Sequence, residues 1–202
     1  MRSVSLSLGA AVLAAAFGAC GPTATVSTSS PGPPATAVSS DLPTPGSTAP
    51  ATGSGARVDA SLVAVLPADV DGVRVEFSPE ASEETIAGGN LPPQVDALAF
   101  GLAATPEDFV IASVVRLDEG AFDDGFYRDW RASYSEGVCG PAGGVGAGTA
   151  EAGIGGRNVF IGSCVNGGHT YVTWLEDRSV IVSAYAVGDR RLGERLMETL
   201  EE

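Results

Sequence analysis

The stretch NVFIGSCVNGGHTYVTWLEDRSVIVSAY, residues 158–185, decides how this chain folds. It holds three runs rich in β-branched and aromatic residues: Asn158 to Cys164, Thr170 to Glu176 and Val180 to Tyr185. Asn166-Gly167-Gly168 and Asp177-Arg178 separate them. Links this short join antiparallel neighbours, and Asn, Gly and Asp supply the backbone angles that hairpin turns need. The stretch therefore predicts a meander of antiparallel strands.

Outward from the meander the pattern changes. Downstream, Leu192, Leu196 and Leu200 fall in line and predict a helix over about 189–200, starting at Asp189. Upstream, Gly140 to Gly156 carries eight glycines in seventeen residues and reads as a flexible loop. Before it, Phe122, Phe126, Trp130 and Tyr134 recur every four residues, an aromatic stripe on a helix over about 121–136. Asp123 and Asp124 sit in its first turn, where acids suit the helix dipole, and Gly137 ends it. Phe109 to Leu117 reads as a buried strand. Val95, Leu98, Ala99 and Leu102 have helical spacing over about 93–104, although the same run also fits a strand. Ser78-Pro79 opens a short acidic helix that Gly88-Gly89 stops. Val73, Val75 and Phe77 alternate as a strand, and Ala60 to Leu66 is a short apolar turn or helix ended by Pro67.

Alternating helices and strands followed by hairpins predict an α+β fold. It is a mainly antiparallel sheet with helices packed on one face, a two-layer sandwich. The aromatic and leucine helices supply the covering layer. Residues 57–202 have the size of a single domain.

The amino end is different in kind. Val4 to Phe17 carries no charge after Met1-Arg2. As a helix it spans roughly 21 Å, short for a membrane crossing but suited to the apolar region of an export leader. It closes on Phe17-Gly18-Ala19-Cys20. Two small residues before a cysteine resemble the lipobox of bacterial lipoproteins, with Phe17 where that family prefers Leu. The resemblance implies that residues 1–19 are a signal peptide. It implies that Cys20 becomes the lipidated first residue and that the chain sits on the extracytoplasmic face of the cell membrane. A plain secretory leader cut near the same small residues is the alternative. From Cys20 to Ala56, Ser, Thr, Pro, Gly and Ala make up 32 of 37 residues, with one charge, Asp41. Such a segment cannot bury enough apolar surface to offset its ordering entropy. It reads as a disordered tether spanning roughly 35 Å as a coil and about 110 Å fully extended. Its Ser, Thr and Pro also fit an O-glycosylated stalk.

With Cys20 set aside, Cys139 and Cys164 remain, and an even pair in an exported chain reads as a disulfide. A redox pair is the rival, although such pairs usually come as Cys-x-x-Cys. The bridge would join the end of the aromatic helix to the meander.

Charge excludes several partners. Eleven arginines and no lysine face 25 acids, a net charge of −14. Nucleic acid and anionic lipid surfaces repel such a chain. One His and three Cys cannot furnish a zinc cage beside a second metal site, and no cofactor is expected.

Catalytic signals are sparse. His169 is the only imidazole and follows a Gly-Gly turn. Ser133-Tyr134-Ser135-Glu136-Gly137 lacks the leading glycine of a nucleophile elbow. Asp69-Val70-Asp71-Gly72 has the alternating acids of a calcium loop without its remaining ligands. Asp118, Glu119, Asp123 and Asp124 read better as helix-start chemistry. The glycine-rich stretch leads toward Arg157 and a strand, where a phosphate cradle would lead into a helix. Arg190, Arg191 and Arg195 read as a solvated face. Trp130, Tyr134, Tyr171 and Trp174 are the candidates for lining an apolar ligand cleft.

The sequence thus points to a lipid-anchored binding or sensing module whose small-molecule or protein partner is open. An envelope-assembly protein acting through protein contacts is the alternative. A carboxylate-based hydrolase is a further one.

Overall fold

Strands that are covered on both sides lose the alternation that marks a half-exposed sheet, and the centre of this fold is of that kind. The computed structural model describes residues 55–201, which belong to one compact unit. The leader, Cys20 and nearly all of the tether lie outside the described residues.

Three hairpin-linked strands correspond to the meander: β8 at Arg157–Cys164, β9 at His169–Leu175 and β10 at Val180–Val187. Before them come β5 at Val95–Ala104, β6 at Phe109–Leu117 and β7 at Val145–Ile154. Four two-residue strands precede these: β1 at Arg57–Val58, β2 at Asp69–Val70, β3 at Val73–Arg74 and β4 at Glu76–Phe77. The main sheet runs β1-β5-β6-β10-β9-β8-β7, with β4 also on the outer side of β5. Its pairs are antiparallel apart from β1 with β5. Within the main sheet the β5–β6 hairpin comes before the meander along the chain. Helix α2, Asp124–Cys139, then carries the chain to the far edge, and the meander returns until β10 zips onto β6. β6 and β10 pair from Val180 with Arg116 to Val187 with Phe109.

Two apolar layers result. On one face lie Ala112, Val114, Val182 and Ala184, covered by a 3-10 turn at Ala60–Val65 and by α3, Leu192–Glu198. On the other lie Leu98, Val115, Val172 and Ile181, covered by α2 and by α1, Pro79–Ala87. The α+β fold with a mainly antiparallel sheet holds, and the two longer helices share one layer. The leucine helix does not join them. Leu192, Leu196 and Leu200 are buried in line as expected, but beneath the opposite face.

Other expectations change in detail. The run at 93–104 is a strand. Its helical spacing is the product of a strand buried on both faces, where Leu98 and Ala99 point opposite ways and are both fully enclosed. Gly101 has no side chain because a Cβ there would meet Leu66 Cδ1 at 2.5 Å. The glycine-rich stretch is a short 3-10 turn followed by edge strand β7, not a loop. Its Gly and Ala give no β signal, and pairing with β8 from Thr149 to Ile154 supplies the order. The aromatic helix begins at the cap Asp123, whose carboxylate accepts from Phe126 N at 2.8 Å, and runs past Gly137 to Cys139. The strand expected at Val73–Phe77 divides into β3 and β4, although Val73, Val75 and Phe77 do pack against one core.

Candidate functional site

Two helices can cover one sheet face and still leave a gap between them. That happens where α1 and α2 lie over the β5–β6 hairpin. The floor is built from strand positions of equal parity: Leu98 and Phe100 on β5, Ser113 and Val115 on β6. Trp130 and Tyr134, one turn apart on α2, form a wall, and Leu91 and Pro92 after α1 close the other side. The cleft between them has a volume of about 290 Å³ and opens to solvent.

The wall is held by hydrogen bonds. Trp130 Nε1 donates to Ser183 Oγ at 3.0 Å, which fixes the indole on β10. Ser82, fully buried on α1, donates to Ser78 O at 2.8 Å and accepts from Phe100 N at 3.1 Å, tying α1 to β5. Most polar groups facing the cavity are spent locally: Thr85 Oγ1 donates to Ala81 O and Ser133 Oγ to Trp130 O. Burial pushes the Tyr134 phenol well above its ordinary range, so it stays protonated. Asn90 and Ser133 are exposed at the mouth, while Ser113 is buried at the floor. The arrangement can hold a small apolar body with one polar end at the rim.

The four cleft candidates divide. Trp130 and Tyr134 share this cavity. Trp174 lies on the same sheet face but against Phe122, ring centroids 4.0 Å apart and nearly parallel. Tyr171 is on the opposite face, under α3, where a Cβ on Gly193 would strike its ring. Their three-residue separation on one strand already puts Tyr171 and Trp174 on opposite faces. The floor residues Leu98, Phe100 and Ser113 were not among the candidates. Leu98 and Phe100 carry a period-2 signal that the helical reading of that run hid.

Cys139 and Cys164 are paired, S–S 1.95 Å and Cα–Cα 5.1 Å, at the end of α2 and the end of β8. Cys20 lies outside the described residues. Asp71 and Gly72 form the β2–β3 turn with φ of 52° and 75°, the two left-handed positions of a type I′ hairpin. The Asp71 carboxylate accepts from Arg190 Nε at 2.9 Å and Nη2 at 2.7 Å, which holds it below the usual carboxylate range. Arg190 is thus a clasp between hairpin and α3 rather than part of a solvated face, while Arg191 pairs with Glu194. Asp123 is the α2 cap, and among the described residues no group of three or more His, Cys, Asp or Glu could hold a metal ion. His169 is exposed, with Nδ1 3.3 Å from Ser163 Oγ. Ser133 to Gly137 lie within α2, not on a strand-to-helix turn. Arg157 donates to Gly155 O and Leu200 O and anchors the carboxyl end of the domain.

No family model, no curated protein and no solved structure matches the chain.

Proposed function

We propose that this protein is a lipid-anchored extracytoplasmic binding module that captures a small, largely apolar molecule between α1 and α2. The observation that carries the reading is the cavity of about 290 Å³ walled by Trp130 and Tyr134. Ligand pockets typically enclose roughly 300–1,000 Å³, so the cavity suits a small ligand. Its floor and walls offer apolar contact, and the few polar groups near the mouth fix orientation. The lipobox-like Phe17-Gly18-Ala19-Cys20 and the tether of residues 20–56 support presentation outside the membrane, with the folded part held off the bilayer.

Two experiments test the two halves of the reading. Metabolic labelling with a fatty-acid probe is expected to mark the chain and to be abolished by Cys20→Ala. Labelling that survives the substitution refutes the anchor. Native mass spectrometry of the full chain from the envelope fraction is expected to show an apolar adduct. Filling the cavity by Ser113→Leu should remove it. An adduct that persists in a folded Ser113→Leu protein refutes the cavity.

A further inference from the structure

A second concave region surrounds Trp174 and is built on different chemistry. A cavity of about 590 Å³ is lined by Trp174 with Phe122, Tyr127, Asp124, Asn158 and Glu176, among others. A smaller hollow of about 150 Å³ adds Asp177 and Arg178. Arg157, Trp174 and Glu176 line both, so the two adjoin as one groove at Trp174. The groove follows from the topology. The β6–α2 link brings Phe122 and Asp124 over the end of the sheet. β8 and β9 place Asn158 and Trp174 side by side, and the turn after β9 sets Glu176 at the rim.

We propose that this groove binds a neutral oligosaccharide. A sugar ring offers a C–H surface and pairs of hydroxyls that each donate and accept. It therefore needs an apolar patch beside planar polar groups of both kinds. Phe122 and Trp174 supply the patch, stacked at 4.0 Å with 10° between planes. Tyr127 stiffens it, its ring 5.9 Å from Phe122 and its hydroxyl donating to Val172 O at 3.1 Å. Asp124 and Glu176 are exposed acceptors that form no ion pair among the described residues. Asn158 is an exposed carboxamide whose only side-chain hydrogen bond among the described residues, to Glu151 Oε2, is 3.5 Å long.

Other ligand classes fit less well. The carboxylates and the net charge of −14 repel anions. A cation would leave the amide donors of Asn158 unused. The site is separate from the Trp130 cavity and does not rest on the reading given to it.

The chain has two tryptophans, so Trp130→Phe leaves Trp174 as the sole indole reporter. Full-length protein carrying that change would be titrated with neutral trisaccharides of glucose, mannose, galactose and N-acetylglucosamine, with choline and glucuronate as charged controls. At least one trisaccharide is expected to shift Trp174 emission and to bind by calorimetry. Glu176→Gln and Asn158→Ala should each weaken that binding by about tenfold. Calorimetry on the unaltered chain carries the same test if Trp130→Phe unfolds. The proposal is overturned if no trisaccharide binds at millimolar concentration, or if choline or glucuronate binds in preference. It is also overturned if both rim variants bind sugar like the parent. A sugar signal seen only at Trp130, in Trp174→Phe protein, would assign the ligand to the other cavity and overturn the groove.

Discussion

Replacing Gly193 by alanine separates helix propensity from packing, because the two act in opposite directions there. Gly193 lies in α3, and alanine is preferred over glycine within a helix by about 1 kcal/mol. On propensity alone the change stabilises. A Cβ at this position, however, would stand 2.8 Å from Tyr171 Cδ2 and 2.9 Å from Ala186 Cβ, and closer still to Tyr171 Cε2. Neither neighbour can yield. Tyr171 is 5% exposed and its strand is paired on both sides, with Ala184 and with Ile161. Ala186 sits in the β10 ladder against Val110 and His169. The helix must therefore lift off the sheet. Overpacking of this kind costs roughly 1–3 kcal/mol, and two rigid neighbours place it at the upper end. The net loss is about 2 kcal/mol, or a urea midpoint lower by about 1 M.

Gly137→Ala in α2 is the control. Beyond its chain neighbours and the helix's own backbone, no atom lies within 4 Å of a Cβ built there, so only propensity acts and the midpoint should rise, by up to about 1 kcal/mol of stability. Urea unfolding followed by tryptophan fluorescence measures both. A Gly193→Ala midpoint at or above the parent would refute the seating of α3 on Tyr171. Opposite signs for one substitution in two helices are what the packing argument requires.

Three further outcomes follow from the same structure. Changing both Cys139 and Cys164 to Ser opens a 25-residue closure and should cost up to about 3.5 kcal/mol, read as a lower urea midpoint that reductant no longer changes. Ser82→Ala leaves Phe100 N–H without its acceptor and should cost roughly 1–3 kcal/mol by thermal unfolding, more than Ser133→Ala on the exposed side of α2. Acid should weaken the fold through carboxylates held low in the native state. Asp59, bonded by Ser61 and Arg116, is lowered from 3.8 to about 2, and Asp71 and Glu151 are lowered by Arg190 and Arg131. A lowered native pKa gives stability that is complete above the ordinary value and disappears as pH falls through the native one. The urea midpoint should thus drop from about pH 4 toward pH 2, and Asp59→Asn should flatten that slope. A midpoint that is level over this range contradicts the ion-paired network.

Much of this fold is legible where local chemistry and final environment agree. The hairpin turns at Asn166-Gly167-Gly168 and Asp177-Arg178, the strand at Phe109 to Leu117 and the aromatic stripe of α2 are written in turn residues, branched side chains and a four-residue spacing. Each of these acts within a few residues of itself. The pairing of Trp130 with Tyr134 is likewise fixed by helical spacing, since residues four apart share a face. The run at 93–104 was ambiguous because burial on both faces erases the period that distinguishes strand from helix. The glycine-rich strand β7 was invisible because its order comes from a partner, β8, and not from its own side chains.

The site lay further from reach for a related reason. A cavity is a property of the distance between elements, and no spacing along the chain states how far α1 stands from α2 across the β5–β6 hairpin. The same holds for the groove at Trp174, which gathers Phe122, Asn158 and Glu176 from three separate segments. What the chain determined by itself was its local vocabulary: turns, apolar stripes and a net charge of −14. Which face each helix covers, and where the faces fail to meet, was decided only when the β5–β6 hairpin and the β7–β10 meander closed into one sheet. Long-range hydrogen bonding and packing, not local preference, fix those distances.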